Sequence, residues 1–244
     1  MKRLIILIIF ISSQLVVAQN EFIEVKEFLS KIENSDSLLI KLNRHKFKNG
    51  SFDFSYSEFS RKIDFGYLQH RISVGKDFYP DFKLNFFSKD GVIKFGWISK
   101  YDGGEEKLSE SENFKENQID FRNYLNQHNA FYGSNLSLNE FTNQIITEYV
   151  VAFGCGYSGN YLSKENYQTQ EYIDQKDIKS LKKLLTSFSP ELQTLGAIGL
   201  IQLKSNDGNK IIRHLKNRNS VLFSCRGCSL SHDETFIQRI GLYE

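Results

Sequence analysis

The residues whose chemistry must be asked about first are three cysteines and five histidines in a chain of 244 residues. Two of the cysteines stand close together in Cys225-Arg226-Gly227-Cys228, after the apolar run Val221-Leu222-Phe223. Three chemistries fit that spacing. A structural disulfide can join Cys225 to Cys228, or either of them to Cys155. A thiol–disulfide exchange site would need one thiol acidified at a helix amino terminus, after a strand in a βαβ unit. No such unit can be read in this stretch. A structural zinc site can draw on Cys225, Cys228 and His232, with Cys155 as a fourth ligand, because two thiolates and an imidazole at this spacing can meet one tetrahedral ion. A second close ligand pair is missing from the sequence. Covalent haem is excluded, since Ser229 stands where a histidine would follow the second cysteine.

Cys155 lies between Gly154 and Gly156. As a nucleophile it would need a histidine base. His45, His70, His128, His214 and His232 are scattered along the chain, and spacing selects none of them. The sequence has no Walker loop, nucleotide fingerprint, HExxH or GxSxG. No catalytic residue is assigned and no cofactor is expected.

A second kind of site is electrostatic. Between Lys176 and Arg218, nine basic residues face only Asp177, Glu191 and Asp207, although the whole chain carries 31 basic and 29 acidic residues. Lys179, Lys182, Lys183, Lys210 and Arg213 are the candidates for holding an anionic partner, such as an envelope polymer. Without that role they read as the solvated faces of helices. No aromatic residues are interleaved with these charges, which argues against nucleic acid.

The elements that must position these residues are helical. Ile178, Leu181, Leu184, Leu185 and Phe188 recur at helical spacing. Ser189 offers an N-cap, Pro190 suits the first helical position, and Glu191 puts negative charge in the first turn. Leu192, Leu195, Ala197, Ile198, Leu200, Ile201 and Leu203 then cover nearly the whole circumference of the next helix, with Gly196 and Gly199 inside it. A helix that is apolar all round is buried. Two interior glycines, each costing about 1 kcal/mol against alanine, mark another backbone pressed close. A third amphipathic segment starts at Ile211. The run from Ser189 to Leu200 resembles the second half of a HEAT-type helical repeat. The resemblance covers about one unit, residues 177–218, and implies a binding or scaffold architecture with no shared active site. One unit does not make a solenoid, which needs about three repeats.

Upstream, Phe22, Val25, Phe28, Leu29 and Ile32 trace a helix, while residues 37–47 fit a helix or a strand. The period then changes to two. Phe52, Phe54 and Tyr56, then Ile63, Phe65 and Tyr67, then Phe82, Leu84 and Phe86, then Ile93, Phe95 and Trp97 predict an aromatic-faced antiparallel sheet of four strands. Lys89-Asp90-Gly91 supplies a hairpin turn. The acidic residues between Glu105 and Glu116 read as a solvated loop. Phe114, Gln118, Phe121, Leu125 and His128 predict one helix. Ser137 and Glu140 form a capping box for another that includes Phe141, Ile145, Tyr149 and Ala152. The fold class is therefore α+β, with a domain over residues 19–160 and a helical, HEAT-like subdomain over 161–244.

Met1-Lys2-Arg3, the apolar run to Ile11 and Val16-Val17-Ala18 match a secretory signal peptide, residues 1–18. Its apolar core is shorter than the roughly 20 residues of a membrane span. The expectation is an exported protein, periplasmic or extracellular, with no membrane span after cleavage. Its partner is expected to be a protein or an anionic envelope polymer.

Overall fold

The computed structural model describes residues 21–44, 59–75, 81–102, 107–152, 163–226 and 229–244. The signal-peptide pattern, the strand read at Phe52 to Tyr56, the Gly154–Gly159 connector, Cys155 and Cys228 lie outside them. The fold is α+β and falls into two compact units. One comprises residues 1–60 and 69–117, the other 61–68 and 118–244.

The first unit holds helices α1 (21–30) and α2 (Ser35–Arg44) and most of a five-stranded antiparallel sheet. The strands are β1 (Phe59–Lys62), β2 (Leu68–Val74), β3 (Phe82–Lys89), β4 (Val92–Asp102) and β5 (Lys107–Lys115), in that spatial order. The segment left open as helix or strand is therefore helical through Arg44. Phe22, Val25 and Leu29 of α1 and Leu38 and Leu42 of α2 pack on Ile72, Val74, Leu84 and Phe86 of the sheet. Aromatic side chains occupy both faces, because Phe86 pairs with Gly96 whereas Phe87 pairs with Phe95. The β3–β4 hairpin turns on Asp90 and Gly91, both at positive φ (53° and 75°), as a tight two-residue turn requires.

The stretch from Ile63 to Phe114 departs from expectation at three points. Ile63, Phe65 and Tyr67 do not form a strand: β1 ends at Lys62, and Asp64–Gly66 make a 3₁₀ turn with Phe65 at φ 60°. The acidic stretch is not a loop throughout, since Glu110 and Glu112 lie on β5. Glu112 is ion-paired with Lys26, which gives that exposed strand face a reason to carry charge. Phe114 belongs to β5, not to the following helix.

The second unit is mainly helical. Helices α3 (Gln118–Tyr132) and α4 (Leu138–Ile146) come first, and α4 carries the Ser137–Glu140 capping box. It stops at Ile146. Val151 instead sits in extended backbone, bridging in parallel to Ser224, so Tyr149 and Ala152 are not helical. Helices α5 (Lys164–Asp174), α6 (Ile178–Leu185), α7 (Pro190–Gln202) and α8 (Asn209–Arg218) follow. The hairpin β6 (Val221–Arg226) and β7 (Ser229–Thr235) and the short helix α9 (Phe236–Ile240) end the chain.

Every residue of α7 from Pro190 to Leu200 is buried. A Cβ placed on Gly196 would lie 2.4 Å from the Leu185 amide nitrogen and 2.7 Å from the Leu181 carbonyl oxygen. Both are backbone atoms of α6 and cannot swing aside. Gly196→Ala should therefore lower stability by about 1–3 kcal/mol, although the same change on an exposed helix would raise it by about 1 kcal/mol. A urea midpoint that rises in Gly196→Ala would refute this close approach.

Candidate functional site

The five candidate basic residues all lie exposed in the second unit, Lys179, Lys182 and Lys183 on α6 and Lys210 and Arg213 on α8. The fold brings four of them, all but Arg213, to a cleft of about 1310 Å³. Lys182 is partly neutralised by Asp207 at 3.2 Å. Tyr132, Tyr149 and Tyr172 also line the cleft. They reach it from α3, the Val151 strand segment and α5, so the aromatic rings absent from the basic stretch arrive from elsewhere in the chain. Glu140 and Glu165 bring the acidic groups of the lining. The cleft can hold an anion by charge and offer the partly exposed rings of Tyr149 and Tyr172, with amides, to an uncharged portion of the same ligand.

The cysteine site is built differently. Cys225 is buried on β6, where it packs with Val150 and Ala152. Its amide donates to the Val151 carbonyl at 2.9 Å, and its own carbonyl accepts from Arg239 Nη2 at 3.0 Å. It sits in a strand, not at a helix amino terminus, so it lacks the dipole that acidifies exchange-active thiols. His232 on β7 stacks on Phe223, with ring centroids 4.5 Å apart and planes at 20°. Among the described residues, no three His, Cys, Asp or Glu side chains gather as metal ligands. The other two cysteines of the disulfide and zinc readings, Cys155 and Cys228, lie outside those residues.

A buried ionic cluster has no counterpart in the sequence reading. Asp64, in the strained 3₁₀ turn, accepts hydrogen bonds from Tyr132 Oη at 2.8 Å and Arg218 Nη1 at 2.7 Å, and its other oxygen meets His214 Nε2 at 2.8 Å. Arg218 also donates to Gln193 at 2.6 Å. Burial pushes the Asp64 carboxyl up, but the Arg218 charge and the bonds from His214 and Tyr132 outweigh it and hold it at about 2. Burial and the Asp64 charge push the Tyr132 phenol up. Arg218, read from sequence as one of the solvated cations, is in fact nearly buried here. An aspartate that orients a histidine is one arm of a nucleophilic triad. Here the other His214 contacts are rings, Phe131 at 4.5 Å and Tyr132 at 6.2 Å. No hydroxyl or thiol is hydrogen-bonded to it among the described residues. The cluster holds the 61–68 segment, α3, α7 and α8 together.

No protein-family model, curated protein or solved structure matches the chain. No helix among the described residues is long and apolar enough to cross a membrane.

Proposed function

We propose that the protein is an exported, non-catalytic binding module of the cell envelope, and that the lysine-lined cleft takes an anionic polymer. The observation that carries this reading is the convergence of Lys179, Lys182, Lys183 and Lys210 on one concave surface from two helices. The signal-peptide pattern supports export. The α6–α7 pair, close-packed through Gly196, supports a HEAT-like scaffold of one unit.

Polygalacturonate tests it against neutral dextran of matched length. Polygalacturonate should bind saturably and dextran should not. Exposed charge interactions are screened by salt, so affinity should fall as salt rises. A Lys179→Gln/Lys183→Gln/Lys210→Gln variant should bind at least about tenfold more weakly, equivalent to about 1.4 kcal/mol, with its unfolding midpoint unchanged. Equal binding by the variant would remove the cleft from the reading.

Within the same reading, a disulfide joins Cys225 to Cys228, closing the carboxy-terminal hairpin, or to Cys155, as expected of an oxidising compartment. The burial of Cys225 on a strand supports a structural bond over an exchanging one. Alkylation of the native protein with and without reductant, followed by mass mapping, should find Cys225 protected until reductant and denaturant are both present. Labelling of native Cys225 without reductant would sink it.

A further inference from the structure

The β6–β7 hairpin and α9 border a second, smaller pocket of about 430 Å³, lined by Ser224, Ser229, Ser231, Asp233, Glu234, Gln238 and Leu242. That volume lies in the range of small-molecule sites, but a ligand site is ordinarily mostly apolar. Here six of the seven lining residues carry a hydroxyl, carboxylate or amide.

Two of its polar atoms are unsatisfied where burial makes that unusual. Ser224 is fully buried, and its Oγ has no hydrogen-bond partner. Glu234 is 8% exposed, and its Oε2 has no hydrogen bond, only the ion pair with Arg239 Nε 3.5 Å away. Buried polar groups are nearly always paired, so these two point to a group that completes them. Other lining atoms are already engaged: Ser231 Oγ donates to Asp233 Oδ1, and Gln238 Oε1 accepts from the Thr235 amide at 2.8 Å. What remains open is mainly acceptor oxygen.

The charge balance narrows the ligand further. Arg239 Nε lies 3.5 Å from Glu234 Oε2, while Arg239 Nη2 is bound to the carbonyls of Val151 and Cys225. One carboxylate charge is thus offset, and among the described residues no cation is paired with Asp233. A single positive charge matches the pocket, whereas a divalent ion overshoots it. A bare divalent ion would also want six or more oxygens, and no three metal-ligating side chains gather among the described residues. An ammonium group brings three donors and one charge.

We propose that this pocket binds the primary ammonium group of a small polyhydroxylated ligand, an amino sugar or amino alcohol. The ammonium donates to Glu234 Oε2, the Asp233 carboxylate and Ser224 Oγ, and the hydroxyls of the ligand meet Ser229, Ser231 and Gln238. This inference does not depend on the basic cleft.

The test titrates the full mature protein with glucosamine, glucose and calcium chloride by calorimetry. Glucosamine should bind saturably, and glucose, its hydroxyl isostere, at least about tenfold more weakly, since hydrogen bonds to a charged group are the stronger ones. Asp233→Asn, at an exposed position, should weaken glucosamine about tenfold with no change in Tm. Ser224→Ala should weaken glucosamine and raise the Tm of the unliganded protein, because it removes a buried hydroxyl without a partner. Equal binding of glucose, saturable calcium binding in place of glucosamine, no saturation, or wild-type affinity in both variants would each overturn the proposal.

Discussion

Glu191→Gln should cost the second unit about 3–5 kcal/mol, the loss expected when one partner of a buried ion pair is removed. Glu191 and Arg61 have side chains 0% and 1% exposed, and they meet through two contacts, at 2.5 and 3.2 Å. The carboxylate also accepts from the Phe223 amide at 3.0 Å and from Ser189 Oγ at 2.8 Å. It therefore joins the 61–68 segment, the start of α7 and β6 through one side chain. Glutamine keeps the shape but removes the carboxylate charge that faces the buried Arg61 guanidinium. Urea unfolding measures the loss. Arg61→Met/Glu191→Leu should recover much of it, because desolvating the pair offsets most of its attraction. A single variant within about 1 kcal/mol of wild type would mean that the pair is hydrated in solution.

The same residue shows what was and was not legible in the sequence. Pro190 at the first helical position and the buried, glycine-bearing α7 followed from spacing alone, and the structure has both. So did the Ser137–Glu140 box and the Asp90-Gly91 turn, which are decided within four residues. Glu191 read as a first-turn carboxylate facing the helix dipole, and Ser189 as its N-cap. Ser189 instead donates to Glu191, because a fully buried carboxylate needs that hydrogen bond more than an amide at the helix end does. Arg61 lies 130 residues from Glu191, and Asp64 lies 150 from His214 and 154 from Arg218. Periodicity carries no information over such separations, so Arg218 reads from sequence as one more solvated cation. The cleft was half legible. Its lysines cluster in sequence, but Tyr132, Tyr149 and Tyr172 reach it only through the fold.

Acid should destabilise each unit through one histidine. His70 in the first unit lies between Ser60 Oγ at 2.6 Å and Ser88 Oγ at 2.7 Å and stacks on Phe86. His128 in the second donates from Nε2 to the Thr186 carbonyl at 3.2 Å, while its buried Nδ1 has no partner. Burial is the main cause that lowers both from the ordinary 6.5 to about 4, against an opposing pull from Asp36 on His70 and from the Thr186 carbonyl on His128. The unfolded chain then takes up a proton below pH 6.5 that the folded chain refuses until about pH 4. Stability is intact above that window and falls as pH drops through it, at about 1.4 kcal/mol per pH unit for each histidine. The loss is about 3 kcal/mol per unit by its lower end. Asp64 extends the decline in the second unit, since its carboxylate, held at about 2 against an ordinary 3.8, contributes stability that disappears below pH 3.8. Urea titrations at pH 7, 5 and 4 should show the midpoint falling stepwise. The imidazole C–H resonances of His70 and His128 should stay at their neutral positions down to about pH 5. A midpoint near 6.5 for either ring would show that it is not buried neutral, and its share of the acid sensitivity would go with it.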